Sequence, residues 1–272
     1  VVKEVANASV VPFTPIRTGF VESGKDFGSY DYELVRRPKV LALAGEGVRS
    51  HNLGEIWHFF EEELRYPIDL IEASEISTVA LESYNVIFLT EGYYSIGEST
   101  MEKINDWVSA GGRLVAIGSA INKLSGKDGF EIESKGTPEP DTSEKEPPVH
   151  HPEPYAGSDR RSMSDDIPGS IFQTTLDTTH PLCFGLGETY WTLKSTTSNY
   201  QWLEEGGNAI YLDDSPRYYG FVGYRALEKT KNTLIAGQEQ IGGGSVVYFV
   251  DNPMFRSFWN SGKVLFSNAL FF

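Results

Sequence analysis

Basic residues are scarce in this chain. Its 272 residues carry 23 lysines and arginines against 38 aspartates and glutamates, a formal net charge of −15. Nucleic acids and anionic membrane surfaces are bound through a basic footprint, so neither is an expected partner. Cysteine is scarcer still: Cys183 stands alone, which excludes an internal disulfide and a cysteine-rich metal site. That count leaves the compartment open, because exported bacterial chains often lack disulfides. No apolar run is long enough to cross a bilayer. The opening residues, VVKEVANASV, lack an initiating Met and a signal-peptide pattern, so the expectation is a processed or excised piece of a longer polypeptide. What is present suffices for a core: 40% hydrophobic residues and 13% aromatic, in a length that suits one large α/β domain or two small ones.

Residues 1–37 alternate loosely and are punctuated by Pro12, Pro15, Gly19, Gly24 and Gly28. They read as short extended pieces or a linker. From residue 38 the pattern is regular. KVLALAGEG is an apolar run ending in glycines, as a buried strand meeting a loop does. HNLGEIWHFFEEEL follows as an amphipathic helix, with Asn52 as its cap and Leu53, Ile56, Trp57, Phe60 and Leu64 on one face. IDLIEA then reads as a strand with a short helical stretch to Leu81. NVIFLTEG, the helix GESTMEKINDWVSAGG and RLVAIG continue the alternation. Strands alternating with helices predict right-handed crossovers and a doubly wound, mostly parallel α/β sheet, with one domain over 38–272. Residues 125–166, rich in Pro, acids, Ser and Gly, predict an exposed, mobile insertion. Beyond it, SIFQTTLDTTHPLCFGLG, NAIYL and a glycine-turned pair around Gly242–Gly244 supply extra strands, and GKVLFSNALFF a closing apolar helix.

RLVAIGSAINKL has the form of a strand turning sharply into a helix, the place where many hydrolases hold a nucleophile. The close approach of strand and helix requires small residues two positions before and after the centre. Centred on Ser119, those positions are Ile117 and Ile121; centred on Gly118, they are Ala116 and Ala120. The steric pattern selects Gly118, which tolerates strained dihedrals but cannot attack anything. Ser119 as nucleophile remains the alternative.

The order of a first strand ending in GEG, a strand ending in TEG, a helix ending in GG, then strand and elbow resembles the class I glutamine amidotransferase-like (flavodoxin-like) fold. That resemblance implies a Cys at the elbow, oxyanion donors in the loop after the preceding strand, and a His after a late strand. Here Gly118 stands for the Cys, and the late strand SVVYFV runs into Asp251-Asn252-Pro253 with no His. His151-Pro152-Glu153 mimics the family's His motif, but it lies in the Pro-rich segment. RPKVLALAGEGVRSHNLGEIWHFF, IPGSIFQTTLDTTHPLCFGLG, YWTLK and GGGSVVYFVDNPMFRSFWNSGKVLFSNALFF further resemble the C-terminal accessory domain of secreted bacterial M14 zinc carboxypeptidases. This implies a parent peptidase whose zinc-binding His-x-x-Glu pair is not in this chain. It also implies a partner, the peptidase domain of the same polypeptide, and a secreted, periplasmic or cell-surface location.

Other constellations are weaker. His51, Glu55 and His58 share one helical face and could converge on a metal ion, though they match no metalloprotease signature. The GEGVRSHNLGE loop lacks a Walker lysine, and Glu46 would repel a phosphate, so it reads as a tight turn. His180 and Cys183 in THPLCFGLG read as a packed turn rather than a dyad. At the carboxyl ends of the strands, Glu46, Glu91, Ser119, Asp251, Asn252 and Arg256 could gather as a ligand-binding rim, for a small molecule or a glycan. Tyr93, Tyr94, Trp191, Tyr218 and Tyr219 could form a docking surface. The expectation is therefore a non-catalytic accessory domain without a cofactor. The alternatives are a cryptic hydrolase using Ser119 and a ligand-binding module at the rim.

Overall fold

The computed structural model describes residues 2–9, 15–30, 37–136 and 155–272, in two compact units, Val1–Arg37 and Pro38–Phe272. In the first unit the extended reading is corrected: Val2–Ser9 form a helix, α1. The prolines and glycines that suggested extended backbone all follow it. After it comes a loop closed by the Phe27 amide on the Gly19 carbonyl (2.9 Å) and the Val21 amide on Asp26 Oδ1 (2.9 Å).

The second unit is built on a sheet of ten strands. Five are parallel: β1 (Val40–Ala44), β2 (Asp69–Glu72), β3 (Val86–Leu89), β4 (Arg113–Ile117) and β10 (Gly244–Phe249), ordered β2-β1-β3-β4-β10. The sheet then continues antiparallel through β9 (Thr233–Ile241), β7 (Gly207–Leu212), β5 (Gly169–Leu176) and β6 (Tyr190–Lys194), while β8 (Tyr218–Phe221) pairs the other edge of β5. The change of direction has a simple cause. Ile241 and Gly244 are joined through Gly242 and Gly243 alone, and so short a link can only make a hairpin.

Because side chains alternate across a strand, the parallel half feeds two cores. Val40, Ala42, Phe88, Val115, Ile117, Val247 and Phe249 face α2 (Ser50–His58) and α6 (Asn260–Phe271). Phe88 stacks on Phe266 at 4.8 Å. Leu41, Leu43, Ile87, Leu89, Leu114, Ala116 and Val246 face α3 (Glu98–Ser109), which contributes Met101, Ile104 and Trp107. Helices on both faces make this the doubly wound α/β arrangement the strand–helix alternation predicts.

Several local expectations are corrected. Arg49, not Asn52, precedes the first turn of α2, and Asn52 is buried with its side-chain oxygen accepting the Glu91 amide at 3.0 Å. Trp57 is 51% exposed, and Phe59, the first residue of a π-turn over Phe59–Leu64, enters the core instead. The stretch before Leu81 is a pair of 3₁₀ turns, Ala73–Thr78 and Leu81–Ser83. Of residues 125–166, only 137–154, including His151-Pro152-Glu153, lie outside the described residues. Before them, Phe130 and Ile132 are core residues; after them, Ser158–Ser164 form α4. Two apolar residues at alternate positions were enough to anchor a segment whose average composition is polar. The last helix before the final hairpin, α5, spans Tyr224–Thr230.

Ile132→Ala should therefore cost about 2–5 kcal/mol, as truncation of a fully buried side chain does. Deleting residues 137–154, whose composition cannot bury apolar surface, should leave the thermal midpoint nearly unchanged. Thermal unfolding of both variants checks this.

Candidate site at the elbow

The carboxyl ends of the parallel strands form one rim of the sheet, and β4 delivers Gly118 to it. Gly118 has φ +53°, in the left-handed region. A Cβ built there would lie 2.5 Å from Glu91 Oε1. Ala116 and Ala120 flank it, both fully buried. The elbow is centred on Gly118, and the space beside it belongs to the Glu91 carboxylate.

Ser119 follows, half-buried, and its Oγ accepts the Gly92 amide at 3.1 Å. The Gly92 carbonyl accepts Lys123 Nζ at 2.9 Å, and that ammonium lies 4.2 Å over the Tyr94 ring. The Tyr93 amide bonds the Gly47 carbonyl at 2.7 Å. The two amides of this loop that could face an oxyanion are thus engaged inside the protein.

Glu91 ties the elbow to α2. Its carbonyl accepts the Arg49 amide at 2.8 Å, and its carboxylate lies 3.8 Å from Arg49 Nε. Burial raises the Glu91 pKa; Arg49 opposes that rise, while the charges of Glu55 and Asp251 add to it. Opposite stands the segment after β10. Asp251 is buried, accepting Thr192 Oγ1 at 2.9 Å and pairing with Lys194 Nζ at 3.4 Å. Lys194 also donates to the Ser198 carbonyl at 2.8 Å. Both Glu55 carboxylate oxygens hold the following loop, one accepting Asn252 Nδ2 and the other the Arg256 amide, each at 2.6 Å. Arg256 and Ser257 adopt φ +49° and +54° in succession, an unusual conformation for two side chains of this size.

The rim residues therefore divide. Glu91 and Ser119 meet around Gly92 and Gly118; Asp251, Asn252 and Arg256 lie on the segment after β10; Glu46 is exposed on the β1 loop, its amide donating to Glu72 Oε2 at 3.3 Å. The metal triad does not assemble: Glu55 turns to Asn252 and Arg256, while His58 sits 3.6 Å from Glu63. Among the described residues no group of three or more His, Cys, Asp or Glu is placed to hold a metal ion. Gly45 and Gly47, at φ +86° and +82°, make the β1 loop a tight turn. Cys183 is buried, its thiol directed at the Ala209 carbonyl (3.4 Å) and its pKa pushed up to about 11 by burial. His180 accepts the Leu182 amide at 3.1 Å, and burial lowers its pKa. This is a packed turn. Sequence reasoning gave Asn52 the wrong role, as a cap, and missed Thr192 and Lys194; the one available signal for these two was a lysine in the alternation of YWTLK.

No known family profile matches the chain, and no curated protein does. Solved structures do. A ThuA-like protein from Parabacteroides merdae is 14% identical, with 86% of this chain and 89% of that one covered at a TM-score of 0.54. Another ThuA-like protein, from Bacteroides uniformis, is 13% identical, covering 88% and 92% at 0.50. A glutamine amidotransferase from Thermotoga maritima is 10% identical, covering 86% and 97% at 0.51. Together they establish an amidotransferase-like fold.

Two outcomes follow from the elbow. Gly118→Ala should destabilise by roughly 2 kcal/mol or more, from left-handed strain and the clash with Glu91. Adding Glu91→Ala should recover part of that loss, since only the clash is shared; urea unfolding of the single and double variants measures it. A carboxyl with a raised folded pKa binds a proton on folding between its unfolded and folded values, so its contribution weakens as pH rises through that window. Glu91→Gln should remove this loss, and its stability relative to the parent should rise with pH from the ordinary carboxylate range upward.

Proposed function

We propose that this chain is a non-catalytic, amidotransferase-like accessory domain of a larger bacterial zinc carboxypeptidase. One observation carries the first half of this reading: where the fold's nucleophile would stand is a glycine, and the space its side chain would need is filled by Glu91. The engaged amides of Gly92 and Tyr93, and Asp251 in place of a His after the late strand, support it. Ser119, one position late, offers an oxygen already in a hydrogen bond.

The carboxypeptidase context comes from the sequence resemblance to the accessory domain of secreted M14 enzymes, and on this reading the chain works outside the cytoplasm. A docking face is available for the peptidase domain of the same polypeptide. On β5, β6 and β8 the inward face mixes Phe172 and Tyr190 with polar residues, and the outward face is largely apolar. Ser170, Thr174, Thr192 and Lys194 are buried, while Ile171, Trp191, Leu193, Tyr219 and Phe221 turn outward. Ile171 pairs with both Leu193 and Tyr219, and Trp191 lies 5.6 Å from Tyr219, so the face is continuous. Three short strands about 4.8 Å apart fall well below the roughly 800 Å² per partner of a free complex. A tether supplies the effective concentration that so small a patch needs.

The purified chain should release no ammonia from glutamine and no amino acid from peptides, with Ser119→Ala indistinguishable from the parent. Turnover of either substrate that disappears in Ser119→Ala would overturn the non-catalytic reading in favour of a cryptic hydrolase.

A further inference from the structure

At the opposite end of the sheet from the elbow, α2 ends in a way its sequence does not require. Its last part, Phe59–Leu64, is a π-turn, closed by the Tyr66 amide on the Phe60 carbonyl at 2.8 Å. The next residue, Arg65, is left-handed at φ +50°, ψ +47°. Glycine is the residue that normally ends a helix in this conformation, and π-turns concentrate at functional sites. Beside this turn is a pocket of about 470 Å³, with Trp57, Glu61, Arg65, Tyr66, Pro67 and Ile68 as its described walls. That volume lies in the range of small-ligand sites.

We propose that this pocket binds a small zwitterion of the α-amino acid class with an apolar side chain. Trp57 from the α-helix, Glu61 from the π-turn and Arg65 just after it line the same pocket, bringing an aromatic face, a carboxylate and a guanidinium to it. Trp57 is half exposed, while Ile56, Phe59 and Phe60 beside it are buried. Neither Glu61 nor Arg65 has a side-chain hydrogen bond or ion pair among the described residues, although the adjacent Glu63 is paired with Lys263 at 2.7 Å. A carboxylate pairs with an ammonium, a guanidinium pairs with a carboxylate in bidentate fashion, and an indole face accepts an apolar side chain. An α-amino acid carries all three complements.

The larger cleft, about 920 Å³, differs in this respect. Glu131 accepts the Glu205 and Gly206 amides at 2.7 and 3.0 Å, and Glu239 accepts the Glu131 amide at 2.8 Å and the Tyr248 hydroxyl. Arg113 donates to Ser245 Oγ at 3.2 Å and the Ala269 carbonyl at 3.3 Å. Those groups hold the protein together, whereas the charges beside Trp57 face a pocket with no partner among the described residues. The proposal is independent of the reading of the elbow.

The test is calorimetric titration of the full chain with L-phenylalanine and L-leucine, alongside phenethylamine and 3-phenylpropionate, which each lack one charge. Saturable binding of the amino acids is expected at up to millimolar concentration, with each analogue of L-phenylalanine roughly tenfold or more weaker. Glu61→Gln should weaken L-phenylalanine and phenethylamine by a similar factor and leave 3-phenylpropionate unchanged. Arg65→Gly should weaken L-phenylalanine and 3-phenylpropionate while raising the thermal midpoint, because glycine suits the left-handed position. That paired result separates lost recognition from lost folding. No saturable binding of either amino acid, analogues that bind equally well, or affinity unchanged in both variants would each overturn the proposal.

Discussion

The rim of this domain depends on a single backbone constraint: the chain leaving β4 must pass through a left-handed residue without a side chain. Gly118 meets it at φ +53°, and the Glu91 carboxylate occupies the space so released. From Glu91 the constraint spreads. Its amide fixes Asn52 and its carbonyl fixes the Arg49 amide at the start of α2, while the next peptide unit fixes Ser119 and Lys123 beyond the elbow. Three connections, after β1, β3 and β4, are therefore locked to one another. A methyl group at Gly118 would force Glu91 to move, and with it the contacts that orient α2.

The fourth connection, after β10, is held by buried charge. Asp251 and Lys194 are almost wholly withdrawn from water, a costly arrangement unless each has further partners. Thr192 and the Ser198 carbonyl supply them. Removing one member leaves the other charge uncompensated, so the pair couples the end of β10 to the antiparallel half of the sheet. Glu55 performs the corresponding task from α2, with one carboxylate oxygen on Asn252 and the other on the Arg256 amide. The charges at this rim are bound mainly to one another and to backbone.

Much of this was legible in the sequence, and the reason is local sterics and periodicity. Ala116 and Ala120 mark the elbow's register because a strand and a helix can approach only over small residues. The apolar runs VLALA, VIFL and LVAI mark buried parallel strands because both faces of such strands are covered. Legibility stopped where a residue's role depends on a distant partner. Asn52 has the right type for a cap, but its amide oxygen meets Glu91, 39 residues away. Glu55 looked like a metal ligand on a polar face; its partners lie about 200 residues further on. Phe130 and Ile132 were hidden inside a polar window, since averaging a composition erases two anchors. The π-turn at Phe59–Leu64 left no periodic signature, because its extra residue per turn breaks the pattern that would reveal it.

The elbow persists here for a structural reason that does not require catalysis. Its sharp turn lets Ala120 and Ile121 of the following 3₁₀ segment join the core formed by α3 and the parallel strands. The same turn presents Ser119 Oγ to the Gly92 amide, which would otherwise lack that acceptor. An active elbow must keep its side chain reachable and its oxyanion donors free. In this domain Gly118 carries no side chain and the Gly92 and Tyr93 amides are engaged within the protein, so the turn serves the packing around it.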